Sequence, residues 1–546
     1  MPFRPSALTN PLTNRGTAFT RKERALLGLT GRLPSAVETL EQQAARAWKQ
    51  LNTYEKDLEK YIFLDQLHNR NEVLYFKILT EHLEELLPIV YDPTIGEAIK
   101  KWSYDYRRSR AVYLSIDHPE EIRASFETLG LGRDDVDLIV VSDAEQILGI
   151  GDWGVNGTDI SVGKLAVYTA GAGVDPSRVI AVNLDVGTNN ETLLKDPYYL
   201  GSRHARVRGQ AYDDMIHGFL QTVSDMYPHA LIHFEDFGPS NARRILTENA
   251  GQYCIFNDDL QGTAAIVMAA VMSGLKITKK KFSDQRLLVY GAGTAGSGMA
   301  DQISAAMIRD GLTQEEAVKR VWLIDINGLV TSDMEGLPDY QRAYARDPRE
   351  TEGWNRKDGR IGLLETIRRV KPTVLIGTST DHGAFTKEVI EALCAGTDHP
   401  MLFPLSNPTE KIEIMPEEAV TWSQGKALVA CGIPSRPVSF EGTEYHIGQA
   451  NNALLYPGLG LGVIASGASR VTDHMLLASS EAVASAAHSL KKGDSLLPPV
   501  HRLREVSVAI AAAVIQAAVD DGVSSFRGDP VKAVKKIMWE PVYKEL

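Results

Sequence analysis

The first hundred residues carry the hydrophobic spacing of helices. In the run LEKYIFLDQLHNRNEVLYFKILTEHLEELL, residues 58–87, apolar side chains recur at intervals of three and four residues, which predicts amphipathic helices. We expect this helical stretch to stop at Pro88, because proline lacks the amide hydrogen that a helix interior needs. Upstream, Ser35 and Glu38 have the spacing of a capping box, which predicts that a helix begins there, in SAVETLEQQAARAWKQL.

From about residue 135 the pattern changes to short β-rich runs that alternate with helical stretches. The runs are VDLIVVSD, RVIAVNLDVG, ALIHFEDFG, YCIFNDD, RLLVYGAG, VWLIDING, TVLIGTST, MLFPLSNP and ALVACG. This alternation predicts parallel sheets with helices on both faces, hence an α/β fold. We expect one sheet before and a second sheet after about residue 260, and the last stretch, DPVKAVKKIMWEPVYKEL, predicts a terminal helix and tail.

Composition and charge narrow the class of protein. The 546 residues suggest three or four domains, and 44% hydrophobic with 23% charged residues is an ordinary globular composition. The net charge of −12 argues against a nucleic-acid binder, which needs a basic face. The longest uncharged stretch, residues 446–469, is interrupted by Pro457 and several glycines. We therefore expect a buried, turn-rich segment and not a membrane span.

The three cysteines give no disulfide or zinc pattern. Cys254, Cys394 and Cys431 are far apart in the chain and include no CxxC pair. A reducing compartment is the default for such a chain, so we expect a cytoplasmic protein.

A glycine motif follows one of the predicted strands. In RLLVYGAGTAGSGMADQI, Gly291, Gly293 and Gly296 stand between an apolar strand and a helical run. This context predicts a dinucleotide site, in which the glycines allow a tight turn, close approach of a pyrophosphate and close helix–sheet packing. Asp325 ends the next strand and would accept hydrogen bonds from a ribose, which favours NAD over NADP. Its distance from Gly291 requires an extended helix through GLTQEEAVKR. The alternative is a glycine turn that merely packs a βαβ unit.

Two predicted strands end in paired carboxylates. Glu235 and Asp236 lie in HFEDFG, and Asp258 and Asp259 lie in FNDDLQGT. The carboxyl ends of parallel strands form the ligand crevice of an open α/β sheet, and acids that converge there repel one another unless a cation lies among them. Hard oxygen ligands suit Mg²⁺ or Mn²⁺. The alternative is that Asp258 or Asp259 caps the following helix.

A lysine and a tyrosine are candidates for proton transfer. Lys164 follows a glycine-rich loop and precedes an apolar run. Partial burial would lower its pKa, so that it could act as a base. The alternative is a solvated lysine at a helix start. Tyr91, in PIVYDP, is a candidate acid if it faces the same crevice, and otherwise a core or rim residue.

Taken together, these motifs resemble the malic enzyme family over nearly the whole chain. The matching segments are LTNRGTAFT, LPIVYDPT, ILGIGDWGVNG, GKLAVYTAG, LDVGTNN, HFEDFG, FNDDLQGTA, GAGTAG, PLSNPT and QANNALLYPGLGLGVIASGA. The resemblance implies oxidative decarboxylation of L-malate to pyruvate and CO₂ by a homodimer or homotetramer. It implies a helical N-terminal domain over 1–111 and a central α/β domain over 112–258 and 452–522. It also implies a Rossmann-like NAD domain over 259–451 and a short C-terminal tail over 523–546.

The resemblance also implies roles for single residues. Tyr91 would be the general acid and Lys164 the general base, oriented by Asp258. Glu235, Asp236 and Asp259 would hold Mn²⁺ or Mg²⁺. Asn407 and Asn452 would contact the substrate or the nicotinamide.

Some positions depart from the family pattern and leave alternatives open. Gln146 stands where many relatives carry an arginine that pairs with a substrate carboxylate or the cofactor, and Asp92 replaces a more usual threonine. Trp153 in the GDWG segment also resembles malolactic enzymes, which convert malate to lactate and CO₂ with bound NAD. A non-catalytic sensor of NAD or malate is a further alternative. Gln341 stands where a lysine marks NADP-preferring relatives, although the adjacent Arg342 could assist NADP.

Overall fold

The chain forms two parallel sheets that are preceded by a layer of helices. The computed structural model describes residues 5–108, 110–147, 149–487 and 491–544. The strands are β1 Ala111–Ser115, β2 Leu138–Ser142, β3 Val179–Asp185, β4 Leu231–Phe234, β5 Ile255–Asn257, β6 Leu287–Tyr290, β7 Val321–Asp325, β8 Gly328–Leu329, β9 Val374–Gly377, β10 Met401–Pro404, β11 Leu428–Cys431, β12 Val438–Phe440, β13 Thr443–Tyr445 and β14 Gly448–Gln449.

The helices flank these strands. They are α1 Arg21–Leu26, α2 Leu40–Leu51, α3 Asp57–His68, α4 Glu72–Glu81, α5 Leu83–Val90, α6 Thr94–Lys101, α7 Ile122–Glu127, α8 Thr158–Ala172, α9 Glu191–Lys195, α10 Gln210–Met226, α11 Pro239–Asn249, α12 Thr263–Thr278, α13 Thr294–Arg309, α14 Gln314–Val318, α15 Asp339–Arg342, α16 Leu363–Val370, α17 Lys387–Gly396, α18 Pro416–Trp422, α19 Tyr456–Ser466, α20 Asp473–Ala486, α21 Leu503–Asp520 and α22 Pro530–Ile537.

Every predicted apolar run contains a strand, and the two-sheet expectation is confirmed. The first sheet has the order β1-β3-β2-β4-β5 and is parallel throughout. The second has the order β14-β11-β10-β9-β6-β7-β8, with the short β8 antiparallel to β7. In the second sheet β7 and β9 lie on opposite sides of β6. The direction in which strands are added to the sheet therefore reverses at β6. Such a switch point opens a crevice at the carboxyl ends of the strands.

Both sheets are buried on both faces, as parallel sheets require. Along β2, Leu138 and Val140 face a core shared with the N-terminal helices and α8, whereas Ile139 and Val141 face a second core under α7 and α10. Successive side chains of a strand point to opposite faces, so an unbroken apolar run supplies both cores.

Four local expectations about helices are wrong. The capped start is not at Ser35: α2 begins at Leu40, and Thr39 and Gln42 form its capping box. The helix before Pro88 does not stop there, because α5 runs on to Val90. Proline at that place removes one hydrogen bond, and the buried neighbours Ile89 and Val90 hold the last turn in the core.

The other two concern helix lengths further along the chain. The single extended helix expected before Asp325 is two helices, α13 and α14, and Thr313 caps the second. The uncharged segment 446–469 is largely buried, as expected, but it is less turn-rich than expected, because it contains α19, with Pro457 in the first turn. The glycines of α19 make room for neighbours: a Cβ on Gly460 would lie 2.5 Å from the ring of Tyr168.

One stretch passes the length and hydropathy test for a membrane span. It covers Asp258–Thr278, which includes α12, and 72% of its most apolar window is buried inside the protein. A core helix shows this degree of burial, and α12 packs against α13 and α20.

Candidate active site

A cleft of about 620 Å³ lies where the carboxyl ends of the two sheets meet. Its walls are the loops that follow β2, β4, β5, β6, β9, β10, β11 and β14. The structure brings eight of the residues singled out from the sequence to this one cleft, which are Tyr91, Asp92, Gln146, Lys164, Glu235, Asp259, Asn407 and Asn452. Asp236 and Asp258 are buried directly behind its wall.

The acids of HFEDFG and FNDD converge as expected. Glu235, Asp236 and Asp259 each offer a carboxylate oxygen, and these oxygens lie within 4.8 Å of one another. Burial, followed by the charges of neighbouring acids, raises the pKa of Asp236 and Asp259 well above the usual value. Burial likewise raises the pKa of Glu235 to about 7.

The carboxylate of Asp236 tests whether the cluster fits a cation. Its side chain is 1% exposed, and neither carboxylate oxygen has a hydrogen-bond partner among the described residues. A buried carboxylate normally accepts hydrogen bonds or contacts a charge of opposite sign. Three hard oxygen donors, one of them a buried carboxylate that lacks such a partner, fit Mg²⁺ or Mn²⁺.

The alternative function of Asp258 and Asp259 as helix caps is wrong. Asn257 is the capping residue, and its side chain accepts from the amide of Leu260. Residues 258–262 form a π-helical turn ahead of α12, a feature that is frequent at functional sites. The turn leaves both aspartates free to face the cleft region.

Lys164 is a buried member of the cluster and not a solvated residue at a helix start. It lies within α8 and is 2% exposed. Its Nζ lies 2.9 Å from Oε1 of Glu235 and forms an ion pair with Asp258. Two aromatic rings cover the ammonium group, with the centroid of Tyr456 at 4.4 Å and that of Tyr91 at 5.2 Å.

The expected fall in the pKa of Lys164 is wrong for the arrangement of side chains seen here. Burial by itself lowers that pKa, but the carboxylates of Asp258 and Glu235 raise it further than burial lowers it, so the pKa lies well above its usual value. The sequence argument considered burial alone, because the partner that forms the ion pair lies 94 residues away.

Tyr91 faces the same cleft and meets the condition set for a candidate acid. It follows α5 directly, is 3% exposed, and its hydroxyl donates to Oε1 of Glu235 at 3.3 Å. Burial raises its pKa well above the usual value. Tyr91 therefore keeps its proton unless a group in the cleft takes it.

A chain of hydrogen bonds supports Glu235 from behind. His233 Nε2 lies 2.9 Å from Oε2 of Glu235, and the other ring nitrogen, Nδ1, lies 2.8 Å from the hydroxyl of Tyr168. Burial lowers the pKa of His233 to about 3, so the ring is neutral. It then donates from Nε2 to Glu235 and accepts from Tyr168, which fixes its tautomer.

Asn452 orients the acid that pairs with Lys164. Its amide nitrogen donates to Oδ2 of Asp258 at 3.1 Å and to Oγ1 of Thr263 at 2.9 Å. The remaining oxygen of Asp258, Oδ1, has no partner among the described residues. Asn452 thus joins α19 and its preceding turn to the acid cluster.

The glycine motif borders the cleft where α13 begins, since Thr294 and Ala295, which directly follow Gly293, line it. Gly291 has φ +102°, and a Cβ there would lie 2.5 Å from the amide nitrogen of Ser379. A Cβ on Gly296 would lie 2.4 Å from the carbonyl oxygen of Gly291. Gly293 has open space beside it and precedes α13 directly. This is the geometry of a backbone cradle at a helix N-terminus, where a pyrophosphate binds.

Asp325 lies at the end of β7, where a ribose acid is expected. The buried Gln341 donates from Nε2 to Asp325 and to the carbonyl oxygen of Ala292 at 2.7 Å. The side chain of Asp325 is therefore held beside the glycine loop. Arg342 donates instead to the carbonyl oxygen of Leu337.

The loops after β9 and β10 are tied together by a buried glutamate that sequence reasoning missed. Glu413 is 0% exposed and accepts from the amide and the hydroxyl of Ser379 at 2.8 and 2.9 Å. It also accepts from the hydroxyl of Ser406 at 2.5 Å. Asn407 follows Ser406 on the cleft wall. A carboxylate with several donors is stable when buried, so Glu413 fixes these two loops relative to each other.

Other missed residues carry signals of different strength. His233 lies two positions before Glu235 on a strand, and this spacing places both on one face, so the motif could have indicated it. Tyr168 and Tyr456 lie on helices far apart in the chain, and the sequence gives no signal that they meet. Gln146 was not missed, since the sequence singled it out as a departure from the family pattern; it lines the cleft, and its backbone amide donates to the carbonyl oxygen of Asp236 at 3.1 Å.

Comparison with known proteins gives consistent matches along the chain. The family model described as "Malic enzyme, N-terminal domain" matches residues 68–249, and "Malic enzyme, NAD binding domain" matches residues 260–519. NAD-dependent malic enzyme 3 of Bacillus subtilis is 48% identical over 542 residues, which cover 99% of this chain and 96% of the relative. The malolactic enzyme of Lactococcus lactis is 44% identical over 538 residues, with 98% and 99% covered.

A solved structure supports the fold. The crystal structure of the Entamoeba histolytica malic enzyme has a TM-score of 0.57 and 21% identity to this chain, and the match covers 94% of this chain and 90% of the other. The expected α/β architecture is confirmed by this likeness.

Proposed function

Because this chain belongs to the malic enzyme family, we propose that it catalyses the metal-dependent oxidative decarboxylation of L-malate to pyruvate and CO₂ with reduction of NAD. The observation that carries the proposal is the buried trio Glu235, Asp236 and Asp259 beside Lys164, opposite a dinucleotide cradle in one cleft. We further propose that the enzyme works in the cytoplasm as a homodimer or homotetramer.

The acid trio would hold Mg²⁺ or Mn²⁺, and Gly291, Gly293, Gly296 and Asp325 would hold NAD. When bound, the cation supplies Lewis-acid stabilisation of negative charge on the substrate oxygen, and the nicotinamide accepts a hydride. Glu235, one of the two carboxylates that raise the pKa of Lys164, would share its charge with the cation and so oppose burial less strongly at the lysine. Burial then favours the neutral amine that a base needs.

Lys164 would take the proton from the C2 hydroxyl of malate as hydride leaves C2. Asp258 holds the lysine in place, and Asn452 holds Asp258. Loss of CO₂ breaks the C3–C4 bond and leaves its electron pair on C3 of an enolate. Tyr91, which keeps its proton in this buried setting, would then protonate C3 to give pyruvate. The wall formed by Tyr91 and Tyr456 excludes water from the amine.

Product analysis tests this function directly. Protein that has been stripped with chelator is supplied with L-malate, NAD and Mn²⁺, and NADH, pyruvate and lactate are measured separately. We expect equal amounts of NADH and pyruvate, and no turnover before Mn²⁺ is restored. Lactate without net NADH would identify malolactic chemistry, and full activity in the stripped protein would refute the metal assignment.

Cofactor preference is part of the same proposal. The negative charge of Asp325 accepts hydrogen bonds from a ribose and repels a 2′-phosphate, so we expect a larger kcat/KM with NAD than with NADP. Strong preference for NADP would contradict this function of Asp325.

A further inference from the structure

Lys411 is a cation of the cleft that no carboxylate neutralises. Among the described residues that line the cleft, the positive side chains are Lys164 and Lys411. Lys164 is already paired with Glu235 and Asp258. The Nζ of Lys411 instead donates to the backbone carbonyl of Gly149 at 3.2 Å, and within the described part of the chain it forms no ion pair.

The contact between Lys411 and Gly149 joins the two halves of the cleft. Lys411 ends a short turn after β10 of the second sheet, and Gly149 belongs to the loop after β2 of the first. Gly149 has φ +70°, and a Cβ there would lie 2.9 Å from Cδ of Pro408. The two loops are therefore in close contact, which fixes Lys411 at this place.

The position of Lys411 separates it from the expected pyrophosphate site. The glycine loop follows β6, and β10 is two strands away across β9. Neighbouring strands are about 4.8 Å apart, so the roots of the two loops are about 10 Å apart. Lys411 instead contacts the loop that also carries the uncharged Gln146.

Resting on the function proposed above, we propose that Lys411 binds the distal carboxylate of the dicarboxylate substrate. The acid cluster and its cation would take the hydroxy-acid end of malate, which leaves the C4 carboxylate without a positively charged partner. An ammonium group has three donors, and Lys411 uses one of them on Gly149. Its remaining donors are available for the one anionic group of the substrate that the cluster does not hold.

The chemistry of this carboxylate predicts which kinetic constant depends on Lys411. The C4 carboxylate leaves as neutral CO₂, so an ion pair to it is strongest before the C3–C4 bond breaks. An interaction that weakens on the way to the transition state improves binding without accelerating the chemical step. Loss of Lys411 should therefore raise KM for malate without lowering kcat.

The test compares Lys411→Met with Lys411→Arg, and uses Lys387→Met as a control on the exposed surface of α17. For Lys411→Met we expect KM for L-malate to rise about 10- to 100-fold, the range of a charge-assisted hydrogen bond. KM for NAD should not change, and Lys411→Arg should restore most of the affinity. 2-Hydroxybutyrate has the same hydroxy-acid end as malate, but a methyl group replaces the distal carboxylate. Its inhibition constant should therefore be the same for Lys411→Met and Lys411→Arg.

Each contrary outcome has its own meaning. An unchanged KM for malate overturns the proposal, and equal rises for malate and NAD would assign Lys411 to closure of the cleft instead. A parallel loss of 2-hydroxybutyrate binding would place the lysine at the hydroxy-acid end. If the wild-type protein turns over no malate, the proposed function fails. In that case, calorimetry with Mn²⁺ and NAD measures the dissociation constant of malate for the same variants. These constants test whether Lys411 binds the distal carboxylate independently of turnover.

Discussion

Asp236→Asn should make the metal-free protein more stable and the metal-loaded protein inactive. The carboxylate of Asp236 is buried, has no hydrogen-bond partner in the part of the chain that the structure describes, and lies among the oxygens of Glu235 and Asp259. Asparagine has the same shape and tolerates the left-handed backbone at this position, φ +56°. Its amide can donate to the neighbouring carboxylates. The substitution therefore removes one buried charge and relieves two others.

The size of the effect follows from the cost of a buried polar group without a partner, about 1–3 kcal/mol. For a cooperative unit of about 150–250 residues this corresponds to a rise in Tm of about 2–12 °C in chelator at pH 8. Mn²⁺ at about 100 times its Kd should stabilise the wild-type protein by about 2.7 kcal/mol. The variant lacks one ligand and should gain much less.

The pH dependence has a definite sign. Folding raises the pKa of Glu235 from 4.5 to about 7, and raises that of Asp236 from 3.8 in the same direction. Acids with raised pKa contribute stability at low pH and lose it as the pH rises through the folded value. The stability of the wild-type protein in chelator should therefore begin to fall at about pH 4 and continue to fall above about pH 7. Asp236→Asn should lose less, so that the two proteins converge near about pH 4 and below.

The assay is thermal unfolding of both proteins in chelator and in Mn²⁺ at several pH values. Asp339→Asn is the matched control, since it removes an equal charge from a fully exposed side chain. A lower Tm for Asp236→Asn in chelator at pH 8, or an equal response of both proteins to Mn²⁺, would refute the reasoning.

Three further substitutions test other parts of the site. Lys164→Met should lower turnover by about 10²- to 10⁴-fold, while NAD binding, measured by fluorescence, should persist. Near-normal turnover would show that Lys164 is not the base. Asp325→Asn should shift the ratio of kcat/KM values toward NADP by about tenfold, the value of a hydrogen bond to a charged group, and an unchanged ratio would contradict its contact with ribose. Glu413→Gln should cost about 1–3 kcal/mol of stability and raise KM for NAD, because the two loops lose their common acceptor. A change in stability alone would limit Glu413 to folding.

The sequence predicted the strands well because each is buried on both faces. An apolar run of four or five residues, such as Leu138–Ser142, has few alternatives to a central parallel strand. β1 was missed because its residues, Ala111–Ser115, alternate between half-buried and buried at the sheet edge, and its run follows an arginine-rich stretch. The capping box of α2 was misplaced for a different reason. Thr39 with Gln42 and Ser35 with Glu38 satisfy the same spacing, and Glu38 instead accepts from Arg46 at 2.6 Å.

Electrostatics was the part of the site that the sequence predicted least well. Burial of Lys164 could be expected from its apolar neighbours, but the direction of its pKa shift depends on Asp258 and Glu235, which directly follow β5 and β4. Residue types at strand ends indicate which groups gather in a crevice. They do not indicate how many opposite charges lie within hydrogen-bond distance of one amine.

The pairing of Glu235 with Asp236 shows what the motif could not reveal. Consecutive residues of a strand point to opposite faces, so a regular strand cannot direct both carboxylates to one cation. β4 ends at Phe234, and the backbone of Asp236 takes a left-handed conformation, φ +56°. The amide of Asp236 donates to Oδ2 of Asp259 at 2.8 Å, which holds the turn in place. This turn brings the second acid beside the first, so the site depends on a backbone conformation and not on the number of acids alone.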